Sequence, residues 1–136
     1  MKKKDIAEYL DLHGNEIFSV AQEVYDNPEV SKEEAMAAKK FKKLLSENGF
    51  TIHELEVDGL DHAFYGEFGC GHPVVALLGE YDALPGLSQE GGCKERKAIK
   101  EGAPGHACGH NLIARGHLAV RLEQSTISNK AACQAQ

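Results

Sequence analysis

Residues 102–113 read G-A-P-G-H-A-C-G-H-N-L-I and set His106, Cys108 and His110 at alternate positions, with Gly105 and Gly109 among them. Thiolate and imidazole are preferred donors for zinc and related divalent ions, and donors this close in sequence need a backbone able to fold around one ion. Glycine supplies that freedom. In an extended loop the three side chains project to one side, whereas in a helix only His106 and His110 share a face, and the glycines favour the loop. The same residues also allow a reactive thiol, with Cys108 a nucleophile activated by His106 or His110, or a tight turn with incidental soft side chains.

A second motif is acidic. The apolar run P-V-V-A-L-L-G, residues 73–79, passes directly into E-Y-D-A-L-P. An uninterrupted apolar run predicts a strand buried on both faces, and the carboxyl ends of such strands border the crevice where open α/β sheets hold ligands. Carboxylates there are costly unless they bind a cation, orient a ligand or reach solvent. Glu80 and Asp82 therefore point to the same crevice as Cys108 and His110.

The elements that must position these groups are legible in outline. Ile6, Leu10, Ile17, Val20 and Val24 follow a helical period from Lys4 to Tyr25, broken only at His13-Gly14, and Asn27-Pro28 stops it. Ser31 and Glu34 form a capping box for a second helix whose buried stripe is Ala35, Ala38, Phe41, Leu44 and Leu45, ending at Asn48-Gly49. Lys39, Lys40, Lys42 and Lys43 form its solvated face. Strand periodicity follows in F-T-I-H-E-L-E-V and H-A-F-Y-G-E-F, with G-C-G-H as a turn. Gly86 to Gly105 reads as a long surface loop, and Asn111 as the N-cap of a further helix.

Charge and composition exclude some classes. With 15 Lys and Arg against 21 Asp and Glu, no basic face is available for nucleic acid. Asp5, Glu8 and Asp11 interrupt the place where a secretory signal needs an apolar stretch, and no apolar run approaches the ~20 residues that span a bilayer. A cytoplasmic protein with free thiols is expected, since Cys70, Cys93, Cys108 and Cys133 contain no C-x-x-C pair. His13, His53, His62 and His72 are isolated and receive no role.

Together, G-E-Y-D-A-L-P-G-L and G-H-A-C-G-H-N-L-I resemble the aminoacylase and carboxypeptidase type of metal-dependent peptidase family, in its amidohydrolase branch. The likeness is greatest to aminobenzoyl-glutamate hydrolases, related dipeptidases and N-acyl-amino-acid hydrolases. It extends over about residues 5 to 113 through N-P-E-V-S-K-E-E, L-S-E-N-G-F and H-P-V-V-A-L-L-G-E-Y-D. The resemblance implies an α/β fold, the amino-terminal part of a three-layer αβα catalytic domain without its lid domain. It implies Cys108 and His110 as metal ligands, zinc or manganese as the ion, Asp82 as a supporting carboxylate, and His106 and Glu80 as groups behind the ligands. Other branches carry H-x-D here, with Glu80 standing in place of that histidine.

The reaction so implied is hydrolysis of an amide bond in a small N-acyl or aminoacyl amino acid or dipeptide-like substrate, with a glutamate moving the proton. In the family that glutamate and further ligands lie well downstream of C-G-H. After Ile113 the likeness stops, so residues 1–113 read as part of the catalytic domain and 114–136 as a divergent tail, consistent with a frameshift. A fragment with little or no turnover is the expectation. A non-catalytic metal-binding module and a cysteine-nucleophile amidohydrolase are the alternatives, and homo-oligomerisation is left open.

Overall fold

A computed structural model describes residues 3–114, and places two long helices, the start of a further helix at residues 110–114, and a two-stranded sheet in a mixed α/β arrangement. Helix α1 spans Lys3–Asp26 without a break at Gly14, and stops immediately before Asn27-Pro28. Val24 is buried and Val20 partly so, whereas the side chains of Ile6, Leu10 and Ile17 lie outside the described set.

Helix α2 spans Ala35–Glu47 and buries Ala37, Ala38, Phe41, Leu44 and Leu45. Ala35, expected in that stripe, is exposed because it sits at the first helical position, and Ala37 takes its place against α1. The expected capping box is also corrected: Glu34 makes no side-chain cap, and its carboxylate accepts from the Lys32 N–H. Glu29 caps instead, one oxygen accepting from Met36 N–H and the other from Ala37 N–H, each at 2.9 Å. A carboxylate at this end also meets the positive pole of the helix dipole. Glu29→Ala should cost about 1–2 kcal/mol of stability, read by urea denaturation. A loss below the resolution of that measurement would remove Glu29 as the cap.

Gly49, at φ 82°, ends α2 as expected, and the Phe50 N–H closes back on the Leu45 carbonyl. Strand β1, Thr51–Glu54, then pairs antiparallel with β2, Phe64–Glu67. Alternation puts Ile52, Phe64 and Gly66 on the side facing α2, where Leu45 and Phe50 approach Gly66 closely. His53 and Tyr65 stack on the opposite side. Phe64 joins both apolar clusters, one around Leu45 and Phe50, the other around Val24, Ala37, Phe41 and Ala114. On the lysine face, Lys39 and Lys43 are exposed as expected, while Lys40 pairs with Glu23 and Lys42 with Glu54.

Residues 74–80 correct a further expectation. They carry no strand and are exposed, Val74 and Leu78 each at 80 %. A strand exists only as part of a ladder, and the described residues provide one only for the hairpin. Gly79 nevertheless lies against the helical residues 110–114, where an added Cβ would stand 3.0 Å from Ala114 Cα. Residues 86–105 form the expected irregular stretch.

Cys70 is disulfide-bonded, which corrects the expectation of free thiols, because spacing in sequence does not determine which thiols meet in space. Cys93 and Cys108 are free and exposed. Cys133 and the expected tail from residue 115 onward lie outside the described residues. Among the described residues no helix is long and apolar enough to cross a membrane.

Candidate metal centre

Strand-like alternation sorts the acidic motif onto two sides. Tyr81 and Ala83 face the core: Ala83 is buried, and the Tyr81 ring lies 5.5 Å from that of Phe41. Its hydroxyl donates to the His62 carbonyl at 2.6 Å. Glu80 and Asp82 face the other way, and both meet His110. The backbone between them is held on both flanks. Ala83 N–H donates to the Glu29 carbonyl at 2.7 Å, and Leu84 and Gly105 exchange two bonds of 3.0 Å.

His110 Nδ1 lies 2.8 Å from Asp82 Oδ1 and 3.1 Å from the Asp82 carbonyl oxygen. Both oxygens accept, so this geometry assigns the ring proton to Nδ1. Nε2 lies 3.1 Å from Glu80 Oε2. The side chains are 13 % exposed for His110, 24 % for Asp82 and 55 % for Glu80, so the imidazole is covered while Glu80 remains half in water.

The loop does not direct all three soft side chains one way. Residues 107–108 form a turn closed by the Gly109 N–H on the His106 carbonyl at 3.1 Å, and Gly109 adopts φ 75°. That turn sends His106 and His110 to different partners, which corrects the extended-loop expectation. Cys108 sits on the turn, exposed.

His106 faces α1, its Nε2 donating to the Val24 carbonyl at 3.1 Å. The helical donor for that carbonyl would be residue 28, a proline without an N–H. The Asn-Pro pair that ends α1 thus also frees the acceptor that anchors the His-Cys-His loop. His106 Nδ1 is buried without a hydrogen-bond partner. Burial holds this imidazole below its ordinary pKa, with His110 adding to the shift and the Val24 bond and Asp82 opposing it.

Asn111 is not the expected N-cap, because the helix starts at His110 and Asn111 is buried within it. Its Nδ2 donates to the Ala21 carbonyl at 3.1 Å, making a second anchor on α1. Sequence reading missed the roles of Glu29, Tyr81 and Asn111. For Asn111 the available signal, an Asn at a helix start, pointed to a cap.

Tyr81 offers a titration probe of this region. Burial first, then the carboxylates of Glu34, Glu54 and Glu29, push its phenol up to about 12. The unfolded chain ionises near the ordinary value of about 10, so the stability tied to this group is complete below that pH and is lost as pH rises towards 12. Ultraviolet titration should show a late-ionising tyrosine step that Tyr81→Phe abolishes; an unchanged titration curve in the variant would contradict the placement.

His110, Glu80 and Cys108 carry the donor types of the divalent ion that the resemblance implies. An imidazole whose Nδ1 is held by a carboxylate presents Nε2 for coordination, the arrangement that orients metal-binding histidines. Glu80 adds an oxygen beside Nε2, and Cys108 a thiol two residues before His110. Among the described residues, no three His, Cys, Asp or Glu converge closely enough to enclose an ion.

No family model matches the chain. It is 42 % identical over 103 residues to one of the subunits of p-aminobenzoyl-glutamate hydrolase from Escherichia coli (strain K12), a stretch that makes up 76 % of this chain and 21 % of that protein. The chain thus spans about one fifth of the length of this relative. That shared stretch bears out the resemblance to the amidohydrolase branch read from the two motifs.

Proposed function

We propose that this chain contributes part of the active centre of a metal-dependent amidohydrolase. The substrate class is a small N-acyl or aminoacyl amino acid or dipeptide-like amide, of the kind named in the E. coli relative. The observation that carries the reading is the clamped imidazole: Asp82 on Nδ1 and Glu80 beside Nε2 of His110. Cys108 and His110 are the proposed ligands. Asp82 holds the ring and its tautomer, and the bonds of His106 and Asn111 to α1 fix the loop that carries both ligands.

When bound, zinc or manganese would polarise the scissile carbonyl and acidify a water molecule. The residues of this chain bind and orient; the proton-moving glutamate of the expected reaction has no counterpart assigned among them. The chain is therefore proposed to be a fragment of the three-layer catalytic domain, with little turnover alone. The nucleophile alternative is disfavoured because the ring nitrogens of His110 both face carboxylate groups and Nε2 of His106 faces Val24, leaving none of these contacts directed at Cys108.

The test is a pair of measurements on the 136-residue protein. Hydrolysis of p-aminobenzoyl-glutamate with added zinc or manganese should be weak and abolished by chelator. Cys108→Ser should lower zinc affinity by at least about tenfold in equilibrium dialysis. Rapid hydrolysis that ignores chelator, or unchanged zinc binding in the variant, would overturn the respective part of the reading.

A further inference from the structure

A segment of apolar residues recruits a neighbouring strand when its backbone is free to pair and no like charges oppose one another across the ladder. Residues 74–78, V-V-A-L-L, meet both conditions. We propose that two copies of this chain associate through this segment, paired antiparallel about a two-fold axis at Ala76.

The backbone is available. Residues 71–80 are all exposed, and Val74 to Leu77 make no backbone hydrogen bond among the described residues. In a strand, Val74 and Val75 would point to opposite faces, and they are 80 % and 63 % exposed. Open N–H and C=O groups flanked by exposed β-branched and aliphatic side chains are the features by which an edge strand takes up another chain. The segment is held in place at its carboxyl end, where Gly79 packs on Ala114 and the Tyr81 hydroxyl bonds the His62 carbonyl.

Charge favours a second copy and sets its direction. The protein carries a net charge of -6, yet no Asp, Glu, Lys or Arg lies between Glu67 and Glu80, so two copies meet here without opposing charges. Parallel, in-register strands would bring the two Glu80 residues within about 4.8 Å of each other, measured between backbones. Antiparallel pairing about Ala76 sends them to opposite ends of the ladder, about 27 Å apart along it.

Proline sets the register. Pairs in an antiparallel ladder alternate between hydrogen-bonded and non-hydrogen-bonded. With Ala76 opposite Ala76 as a bonded pair, Val74 opposite Leu78 is the next bonded pair, while Val75 opposite Leu77 and Pro73 opposite Gly79 are non-bonded. Pro73, which has no N–H, thus stands where none is needed, and every pair from 74 to 78 is apolar.

Sedimentation equilibrium of the 136-residue protein at tens to hundreds of micromolar, with chelator present so that no metal ion links copies, tests the pairing. Amide hydrogen exchange at the same concentrations reads its register. The mass should rise from that of the 14.8 kDa monomer towards its double. The Val74 and Ala76 amides should gain protection with concentration, and those of Val75 and Leu77 should not. Ala76→Glu and Ala76→Lys each set like charges opposite one another and should weaken association about threefold or more, while an equimolar mixture of the two should restore it. Ile99→Glu adds the same charge at an exposed position outside the segment and should associate like the parent. Circular dichroism checks that each variant is folded. A parent that stays monomeric would overturn the proposal. Association unchanged in A76E and A76K would overturn it too, placing the contact on another surface. Weakening in both without recovery on mixing would overturn the two-fold pairing at Ala76. Protection of Val74 and Ala76 that ignores concentration would assign the cover of this segment to the chain itself and overturn self-pairing.

Discussion

Gly105→Ala is expected to destabilise the protein by about 3 kcal/mol or more. A Cβ at this position would lie 2.2 Å from the Leu87 carbonyl oxygen, 2.7 Å from its carbon and 2.9 Å from Ser88 Cα. These are backbone atoms, so no side-chain rotation relieves the clash. Separating the segments would break the paired Leu84–Gly105 bonds and the Ser88 N–H bond to Ala103, each worth about 1 kcal/mol, on top of about 1–3 kcal/mol of overpacking. Gly105 is therefore a glycine for close approach, whereas Gly109 is one for its φ of 75°. Gly14→Ala is the matching control: nothing lies within 4 Å of its added Cβ, and in mid-helix the change should stabilise by about 0.5–1 kcal/mol. Urea denaturation measures both, and hydrogen exchange at the Leu84, Ser88 and Gly105 amides localises the damage. A Gly105→Ala protein within about 1 kcal/mol of the parent, the size of one lost hydrogen bond, would refute the close approach.

His110→Ala should have the largest effect on metal binding. Loss of a group that merely orients a ligand costs about 10–100-fold in affinity, so loss of the ligand itself should cost at least about 100-fold. The variant also leaves the Asp82 and Glu80 carboxylates facing a space from which their imidazole partner has gone. Asp82→Asn should fall in the lower range of about 10–100-fold, since an amide oxygen still accepts from Nδ1 but carries no charge. Zinc calorimetry on the two variants should therefore rank His110→Ala as the more damaging. Equal affinities for parent and His110→Ala would place the ion elsewhere.

Much of the scaffold was legible because its signals are local. The Asn27-Pro28 stop, the stripe of Phe41, Leu44 and Leu45, the Gly49 turn and the two hairpin strands each depend on neighbours within a few residues. Where a local rule named the wrong partner, a group distant along the chain or on the far side of a turn had displaced it. Glu29 reaches past Ser31 to cap α2, and Asn111 bonds α1 instead of capping its own helix. The run 73–79 has the composition of a buried strand, but composition cannot supply a ladder partner.

The sequence by itself determined the donor types and their local spacing: a thiol and an imidazole two residues apart, and two carboxylates on alternate positions of an extended segment. It also carried the family likeness. Only the tertiary structure decided who meets whom. His110 and Asp82 are 28 residues apart, His106 and Val24 82, and Asn111 and Ala21 90. No periodicity of about 2 or 3.6 residues encodes contacts at such range; they form when the acidic segment, the loop and α1 close on one another, and that closure brings Glu80 beside Nε2.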